Sequence, residues 1–513
     1  MLFNSHLFIF IFLPLSLFFF HLLNNYKLHV LKIKVLVFAS LFFYGWWNPK
    51  YLILLIFSVL INYYFGKILL DNSKNKLRLI IGISINLIIL GYYKYTNFFL
   101  ENINLVFNRE NIFETLILPL GISFFTFQQI TYLVDCFIGK VEKHSITKYF
   151  LFVTFFPQII AGPIVHHSFM MPQFNKLGEK IFENNKFNIG LTTFVLGLFK
   201  KICLADSLAK LANPFFYFSE AGTTLNFFDA WTGAVIYAFQ LYFDFSGYSD
   251  MALGLGLMFG IVLPINFFSP FKAKNISEFW TCWHITLSNL IRNYLYYPLS
   301  VFFSRKAFQY NLGEINFSFL SIVMPTIISF FFVGLWHGAG WNFIMFGIIN
   351  GVYIIIFNLW KSLKNKFNFF QKTNFIYDIF SQLLTFLSFV IALIFFRSSN
   401  LENSIHYLKS VFGFGKFDLV DIFQIGTFAA DPYNGILWLI ISFIIIFLLP
   451  NTYESVFQNC DNKFNKKNMI LKRKNLIAIK WKPNFIWAAF TTIIFLVSIL
   501  FLNKESEFLY FQF

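Results

Sequence analysis

Residues 315–360 read INFSFLSIVMPTIISFFFVGLWHGAGWNFIMFGIINGVYIIIFNLW and contain no Asp, Glu, Lys or Arg. A helix that crosses the hydrocarbon core of a bilayer needs about 20 predominantly apolar residues. This stretch is therefore long enough for two such helices, and Gly338 and Gly340 permit a turn between them. The stretch predicts the fold class, an all-α polytopic membrane protein.

The composition of the whole chain agrees with this fold class. Of the 513 residues, 58% are hydrophobic and 12% are charged, whereas soluble domains carry about 25% charged residues. A net charge of +16 is also compatible with nucleic-acid binding. In membrane proteins, however, Lys and Arg collect in the cytoplasmic loops. We therefore expect the lipid bilayer as a partner, and no nucleic acid.

Basic loops alternate along the chain with loops that are poor in Lys and Arg. Segments 213–230 and 415–433 carry more acidic than basic residues, whereas segment 451–483 is strongly basic. Because basic loops face the cytoplasm, this alternation predicts an N-terminus outside and about eleven spanning helices with additional re-entrant pieces. None of the outside loops is long enough for an extracytoplasmic catalytic domain. We expect one domain, 1–513, with core motifs at about 115–360 and C-terminal helices at about 376–502.

The cysteines and histidines show no metal-binding pattern. The four cysteines are Cys136, Cys203, Cys282 and Cys460. None has the spacing of a zinc site or of a disulfide framework. His166 and His167 are adjacent and would point to different faces of a helix. We therefore predict no metal.

His337 is the histidine of the charge-free stretch. A helix that rises from about Phe317 covers about 30 Å in 20 residues, which places His337 in the outer half of the membrane. Ionisable residues inside a membrane are costly and are functional candidates by default. A neutral imidazole suits a general base that takes the proton of an attacking hydroxyl. The alternative is a structural histidine that bonds a backbone carbonyl at a helix break.

A second polar segment, residues 275–288, reads NISEFWTCWHITLS. Asn275 and Glu278 are spaced as a helix-capping pair. A continuous helix would then place four residues on one face: Trp280, Trp283, His284 and Leu287. Because Lys and Arg flank the segment, we expect it near the cytoplasmic side as an amphipathic or re-entrant helix. It either contacts an anionic donor or is only an interfacial helix with an aromatic belt.

Two further segments interrupt apolar runs. Asp244 and Asp250 flank a Ser/Gly break, which predicts a span divided into two half-helices with a structural or tunnel-lining role for the carboxylates. Segment 156–163 contains two prolines and a glycine, as re-entrant segments do.

Taken together, these segments resemble the membrane-bound O-acyltransferase (MBOAT) family, and within it the bacterial alginate/peptidoglycan O-acetyltransferase-like branch. Eight motifs occur in order along the chain. They are Tyr44–Pro49, Pro119–Gln128, Phe156–Pro163, Lys200–Asp206, Phe243–Ala252, Leu263–Asn266, Phe279–Leu287 and Leu335–Asn342.

The resemblance implies a ring of tilted helices around a membrane-crossing funnel with re-entrant helices. It implies that His337 is the catalytic histidine and that His284 is a second, donor-side histidine. Further donor-binding or tunnel residues are expected at Trp280, Trp283, Ser288, Asp244, Trp336 and Asn342.

The resemblance also implies the reaction and its setting. No cofactor is expected to be bound, and the co-substrate is an acyl thioester, either acetyl-CoA or an acyl carrier. Acetyl would move outward across the bacterial cytoplasmic (inner) membrane to a polysaccharide: peptidoglycan, alginate or another glycan. Since the chain lacks room for an outer domain, we expect a separate extracytoplasmic acetyltransferase or acceptor protein as partner.

Three alternatives remain from the sequence. The first is D-alanyl transfer for teichoic acid modification, within the same family. The second is a secondary transporter with broken helices, which would be expected to show an internal repeat. None is visible, because Trp283-His284 and Trp336-His337 lie in unlike surroundings. The third is a scaffold without enzymatic activity.

Overall fold

The computed structural model describes residues 1–25, 28–71, 75–107, 115–177, 183–367, 374–415, 431–457, 477, 479–502 and 508–509. Within these ranges the chain is helical and forms no β-strand. This confirms the all-α fold class.

The N-terminal third contains seven α-helices. They are α1 (Leu13–Asn25), α2 (His29–Gly45), α3 (Pro49–Asp71), α4 (Lys76–Phe107), α5 (Ile122–Phe137), α6 (Ile146–Thr154) and α7 (His167–Lys176). A π-helical turn, Phe8–Phe12, precedes α1. The predicted interruption at 156–163 is present: these residues form turns between α6 and α7 and are buried in the protein.

The middle of the chain forms the buried centre and the short helices beside it. Its helices are α8 (Asn184–Phe199), α9 (Asp206–Glu220), α10 (Phe227–Met258), α11 (Ile276–Cys282), α12 (Ile285–Ile291), α13 (Tyr297–Gln309) and α14 (Glu314–Ser318). The π-helical segment Lys200–Ala205 joins α8 to α9 without a break. A 3₁₀ turn, Pro270–Lys272, precedes α11, and a π-helical turn, Arg292–Tyr296, follows α12.

The last part of the chain contains the remaining helices. They are α15 (Met324–His337), α16 (Trp341–Phe367), α17 (Phe375–Arg397), α18 (Leu401–Val411), α19 (Pro432–Phe443), α20 (Thr452–Ser455) and α21 (Phe485–Phe501). Two π-helical turns, Phe319–Val323 and Ile444–Leu448, lie beside α15 and α19.

Six helical segments of the described chain are long and apolar enough to cross a membrane. They are Pro49–Asp71, Lys76–Phe107, Asn184–Glu220, Glu314–His337, Trp341–Phe367 and Phe375–Arg397. Three shorter apolar helices are Phe8–Leu23, Pro432–Leu448 and Phe485–Phe501. The protein is therefore a multi-pass membrane protein. The charge-free stretch supplies two of the six spans, as the sequence predicted.

The central helix α10 is buried along nearly its whole length. It packs against α8 at two pairs of glycines, Gly197 with Gly247 and Gly190 with Gly254. A Cβ atom on Gly254 would lie 2.5 Å from the carbonyl oxygen of Gly190, and one on Gly197 would lie 2.6 Å from that of Gly247. Small residues allow helices to approach this closely in a membrane.

The prediction that Asp244 and Asp250 divide a span into half-helices is wrong. Helix α10 runs through both residues without interruption. The carboxylates do not need a helix break, because two consecutive lysines of the Lys200–Ala205 turn pair with them. Lys201 Nζ lies 2.7 Å from Asp244 Oδ1, and Lys200 Nζ lies 2.6 Å from Asp250 Oδ2. Paired charges can remain inside a helical bundle without breaking a helix.

Candidate active site

His337 is the last residue of α15, and its side chain is buried, with 3% of its surface exposed. The chain leaves the helix at Gly338, which is extended, and starts α16 at Trp341. The imidazole meets the edges of two phenylalanine rings, Phe346 at 5.6 Å and Phe396 at 5.1 Å between centroids. These contacts restrict how the imidazole can turn.

Helix α4 holds the C-terminal end of α15 in place. Tyr95 Oη donates to the carbonyl oxygen of Leu335 at 2.8 Å, and Lys94 Nζ donates to the carbonyl oxygen of Trp336. The last carbonyl groups of a helix have no partner within the helix and carry its partial negative charge. Hydrogen-bond donors from α4 therefore stabilise the backbone that presents His337.

Trp336 connects the two predicted histidines. Its ring centroid lies 4.8 Å from that of His337 and 5.5 Å from that of His284, and it packs edge-on against both. His337 and His284 are thus neighbours of a single indole, although 53 positions separate them in the sequence. The structure brings together the two histidines that the sequence selected.

His284 lies at a break between α11 and α12. Its backbone is left-handed, with φ 43° and ψ 54°, which is uncommon for a residue other than glycine. The prediction that Trp280, Trp283, His284 and Leu287 share one helical face is therefore wrong. Helix α11 ends at Cys282, and the turn at His284 directs its side chain separately from the two tryptophans. The capping pair is confirmed in part, since Asn275 Oδ1 accepts from the Glu278 backbone N–H at 2.9 Å.

Asn266 determines the protonation of the His284 ring. Its Oδ1 lies 3.1 Å from His284 Nδ1 and also accepts from the backbone N–H and the hydroxyl of Thr286, at 3.2 and 2.9 Å. Because a backbone N–H can only donate, this amide atom must be the oxygen. His284 Nδ1 must then carry a proton, which leaves Nε2 as the basic nitrogen of the neutral ring.

The two tryptophans of segment 275–288 pack against aromatic side chains of neighbouring helices. Trp283 stacks on Phe279, with centroids 5.7 Å apart, and lies 5.2 Å from Phe389 of α17. Trp280 packs edge-on against Phe330 of α15 at 5.2 Å. The Ser288 hydroxyl donates to the Trp283 carbonyl at 3.3 Å. These contacts attach the short helices to the bundle around His284.

The remaining predicted residues, Asn342 and Asp244, make buried polar contacts within the helical bundle. Asn342 Nδ2 donates to the carbonyl oxygens of Phe395 and Ser398, at 3.2 and 2.8 Å, and so ties the start of α16 to the end of α17 beside His337. Asp244 is engaged by Lys201 and by the backbone N–H of Leu509. Its role in the described structure is an ion pair of the central helix.

A cavity of about 490 Å³ opens onto His337. Trp336, Lys94 and Ser123 also line it. Its wall also includes Trp46, Trp47 and Ile160, together with residues from the start of the chain and from the segment 117–124. Within the described residues no group of three or more His, Cys, Asp or Glu side chains could hold a metal ion.

Sequence reasoning missed two residues of this site, Lys94 and Asn266. Lys94 lies in the mostly apolar stretch 79–98 of the sequence, and an ionisable residue in such a stretch is a signal for function. Asn266 ends the motif Leu263–Asn266, and the motif alone indicates no role for it. Its partner His284 cannot be inferred from spacing alone, because the loop between them has no regular period.

This fold and site define a class of protein: a multi-pass membrane protein with two buried histidines that contact the same tryptophan, Trp336. The chain belongs to the membrane-bound O-acyltransferase family, MBOAT, whose family model matches residues 138–398. It is therefore an O-acyltransferase.

Curated relatives agree with this assignment. The peptidoglycan O-acetyltransferase of Helicobacter pylori is 38% identical over 100% of this chain and 98% of its own length. The probable alginate O-acetylase AlgI of Pseudomonas aeruginosa is 33% identical over 83% of this chain and 79% of its own length. The teichoic acid D-alanyltransferase of Streptococcus thermophilus is more distant, at 28% over 50% of this chain and 60% of its own length.

Proposed function

We propose that this O-acyltransferase moves acetyl from a cytoplasmic acyl thioester across the membrane for the O-acetylation of an extracytoplasmic polysaccharide, with peptidoglycan as the first acceptor to test. The observation that carries the proposal is the position of His337, buried at the end of α15 and open to a cavity. The 38% identity to a peptidoglycan O-acetyltransferase, against 33% for the alginate relative, favours peptidoglycan.

In the proposed reaction the imidazole of His337 takes the proton of the attacking hydroxyl. The hydroxyl oxygen forms a bond to the thioester carbonyl carbon, and the carbonyl electron pair moves to its oxygen. When this intermediate collapses, the C–S bond breaks and the thiolate takes the proton from the imidazolium. The products are an O-ester and a thiol. A positioned general base is typically worth 10²–10⁴ in rate.

His284 is placed on the donor side of Trp336 in this proposal. Its proton on Nδ1 is held by Asn266, so Nε2 is the nitrogen that carries the lone pair of the neutral ring. Its ring is fully buried and packs edge-on against Phe245, at 4.8 Å between centroids. A ring held on two sides keeps one orientation, which a group that positions a thioester requires.

The remaining features of the proposal concern sidedness and partners. We propose that the protein lies in a bacterial inner membrane with its N-terminus outside, because basic loops face the cytoplasm. The donor would be acetyl-CoA or an acyl carrier thioester, with no resident cofactor. A separate extracytoplasmic acetyltransferase or acceptor protein would receive the acetyl group.

The experiment measures ester-linked acetate on isolated peptidoglycan and exopolysaccharide fractions from four strains. They carry the wild type, a deletion, His337→Ala and His406→Ala at equal expression. His406, on α18, is the matched control. Its Nδ1 atom lies 3.2 Å from the Ser219 hydroxyl. We expect acetate to fall in one fraction for the deletion and His337→Ala but not for His406→Ala. Full acetylation by His337→Ala would contradict the catalytic assignment, and loss of ester-linked D-alanine would indicate the teichoic acid reaction.

A further inference from the structure

Lys94 is a buried lysine that the mechanism above does not use. It lies on the membrane-spanning helix α4, with 7% of its surface exposed. The ion pairs found among the described residues do not include it. Its partners are two neutral oxygens, the Ser123 hydroxyl at 3.5 Å and the Trp336 carbonyl. A buried charge without an opposite charge is costly, so its presence in a membrane points to function.

The position of Lys94 directs its charge to the cavity of His337. Lys94 and His337 line the same cavity, and Lys94 hydrogen-bonds the residue that precedes His337. A protonated lysine has three N–H donors. Two are used by Ser123 and Trp336, which leaves one for a group inside the cavity.

The start of α5 adds a second positive contribution at this place. Helix α5 begins at Ile122, after Gly121 with φ 68°, and residues 121–124 line the cavity. The N-terminal end of a helix carries a partial positive charge and favours anions. Lys94 and this helix end therefore both favour negative charge in the part of the cavity beside His337.

We propose that Lys94 is a further catalytic residue, which donates a hydrogen bond to the oxyanion formed on the acyl carbonyl oxygen. This inference rests on the acyl transfer proposed above. As the hydroxyl oxygen bonds to the carbonyl carbon, the π electron pair moves to the carbonyl oxygen, and Lys94 Nζ–H donates to it. Negative charge exists there only during the reaction, so the interaction stabilises the transition state more than the bound substrate. When the C–S bond breaks, the carbonyl re-forms and Lys94 keeps its proton.

A purely structural role would be to cap the C-terminal end of α15. Tyr95 offers a direct comparison, because it donates to the adjacent carbonyl, that of Leu335, at 2.8 Å and carries no positive charge. If capping were the only function, Lys94→Gln and Tyr95→Phe would have similar consequences, since each alters one hydrogen bond to the same helix end.

The test compares wild type, Lys94→Gln, Lys94→Arg and Tyr95→Phe by the initial rate of radiolabelled acetate incorporation into the acceptor polymer. Protein amount and melting temperature are measured for each variant. Removing one oxyanion donor typically costs 10²–10³ in rate. We expect a loss of about 100-fold for Lys94→Gln at unchanged melting temperature. Lys94→Arg should retain a clear part of the rate, and Tyr95→Phe should lose much less of the rate than Lys94→Gln does.

Three results would overturn the inference. They are an unchanged rate in Lys94→Gln, equal losses in Lys94→Gln and Tyr95→Phe, and a loss that accompanies a fall in melting temperature or protein amount. Failure of the proposed function is recognised separately, because the deletion strain would then incorporate as much acetate as wild type. In that case the inference about Lys94 falls with it.

Discussion

The Nδ1 atom of His284 lies 3.1 Å from Asn266 Oδ1, and this contact assigns the ring proton to Nδ1. The same oxygen accepts two hydrogen bonds from Thr286, so the amide cannot rotate without losing them. In turn, the Thr286 hydroxyl accepts from the backbone N–H of Ile164 at 3.0 Å. The turn before α7, the loop before α11 and the start of α12 are thereby joined around one histidine.

Replacing Asn266 with Ala should reduce the acetylation rate by about 100-fold, the lower end of the contribution of a correctly placed acid or base. The physical reason is that His284 would lose the acceptor that selects its tautomer. The initial rate of acetate incorporation per folded molecule measures this. Asn350→Ala is the control, because Asn350 is also buried but bonds within its own helix. Equal rates for Asn266→Ala and Asn350→Ala would contradict the role given to Asn266.

The buried ion pair of Asp244 and Lys201 should be important for stability. Asp244→Ala removes the carboxylate at 2.7 Å from Lys201 and leaves Asp206, at 2.9 Å, as its paired carboxylate. Removing one partner of a buried pair costs about 3–5 kcal/mol, and we expect the lower end because Asp206 remains. The melting temperature of the purified protein reports the change. Asp378→Ala, which breaks the exposed pair with Lys274, should have little effect, and equal shifts in the two variants would argue against this account.

The glycine contact between α8 and α10 should not tolerate a side chain. A Cβ atom on Gly197 would meet backbone atoms, the Gly247 oxygen at 2.6 Å and the Met251 nitrogen at 2.7 Å. We expect Gly197→Ala to destabilise the protein by about 1–3 kcal/mol, as overpacking does. Gly91→Ala is the matched control on α4, where a Cβ atom would meet nothing within 4 Å. The yield of folded protein and its melting temperature distinguish them, and a Gly197→Ala variant as stable as Gly91→Ala is the contrary result.

Mutation of Asn342 can distinguish a structural role of its side chain from a substrate-binding role. The sequence assigned it to the donor or tunnel, whereas the structure shows its amide bound to two carbonyl groups of the α17 end. Asn342→Ala should therefore lower the melting temperature, because two buried carbonyl groups lose a donor at about 1–3 kcal/mol. We expect the rate per folded molecule to stay near wild type. A stable Asn342→Ala variant with a reduced rate would instead support the predicted donor-binding or tunnel role.

Much of the site could be predicted from the sequence because its signal was local. His337 is a candidate in the sequence because it is an ionisable residue in a long stretch without Asp, Glu, Lys or Arg. His284 is a candidate because it lies beside tryptophans in a polar segment between apolar runs. The assumption that 275–288 is one helix failed, because φ 43° at His284 is a local departure that helical spacing cannot show. The division of α10 failed because the partners of its carboxylates lie on a different helix.

The sequence by itself determined that the protein is an all-α membrane protein and that residues 315–360 supply two spanning helices. It also identified two histidines as functional candidates. Those properties depend on how apolar and charged residues follow one another along the chain. Only the tertiary structure decided that Lys94 meets Trp336, 242 positions away, and that Asn266 fixes the His284 ring. Such contacts depend on how helices pack against each other, so they cannot be predicted from the periodicity of residues within a single helix.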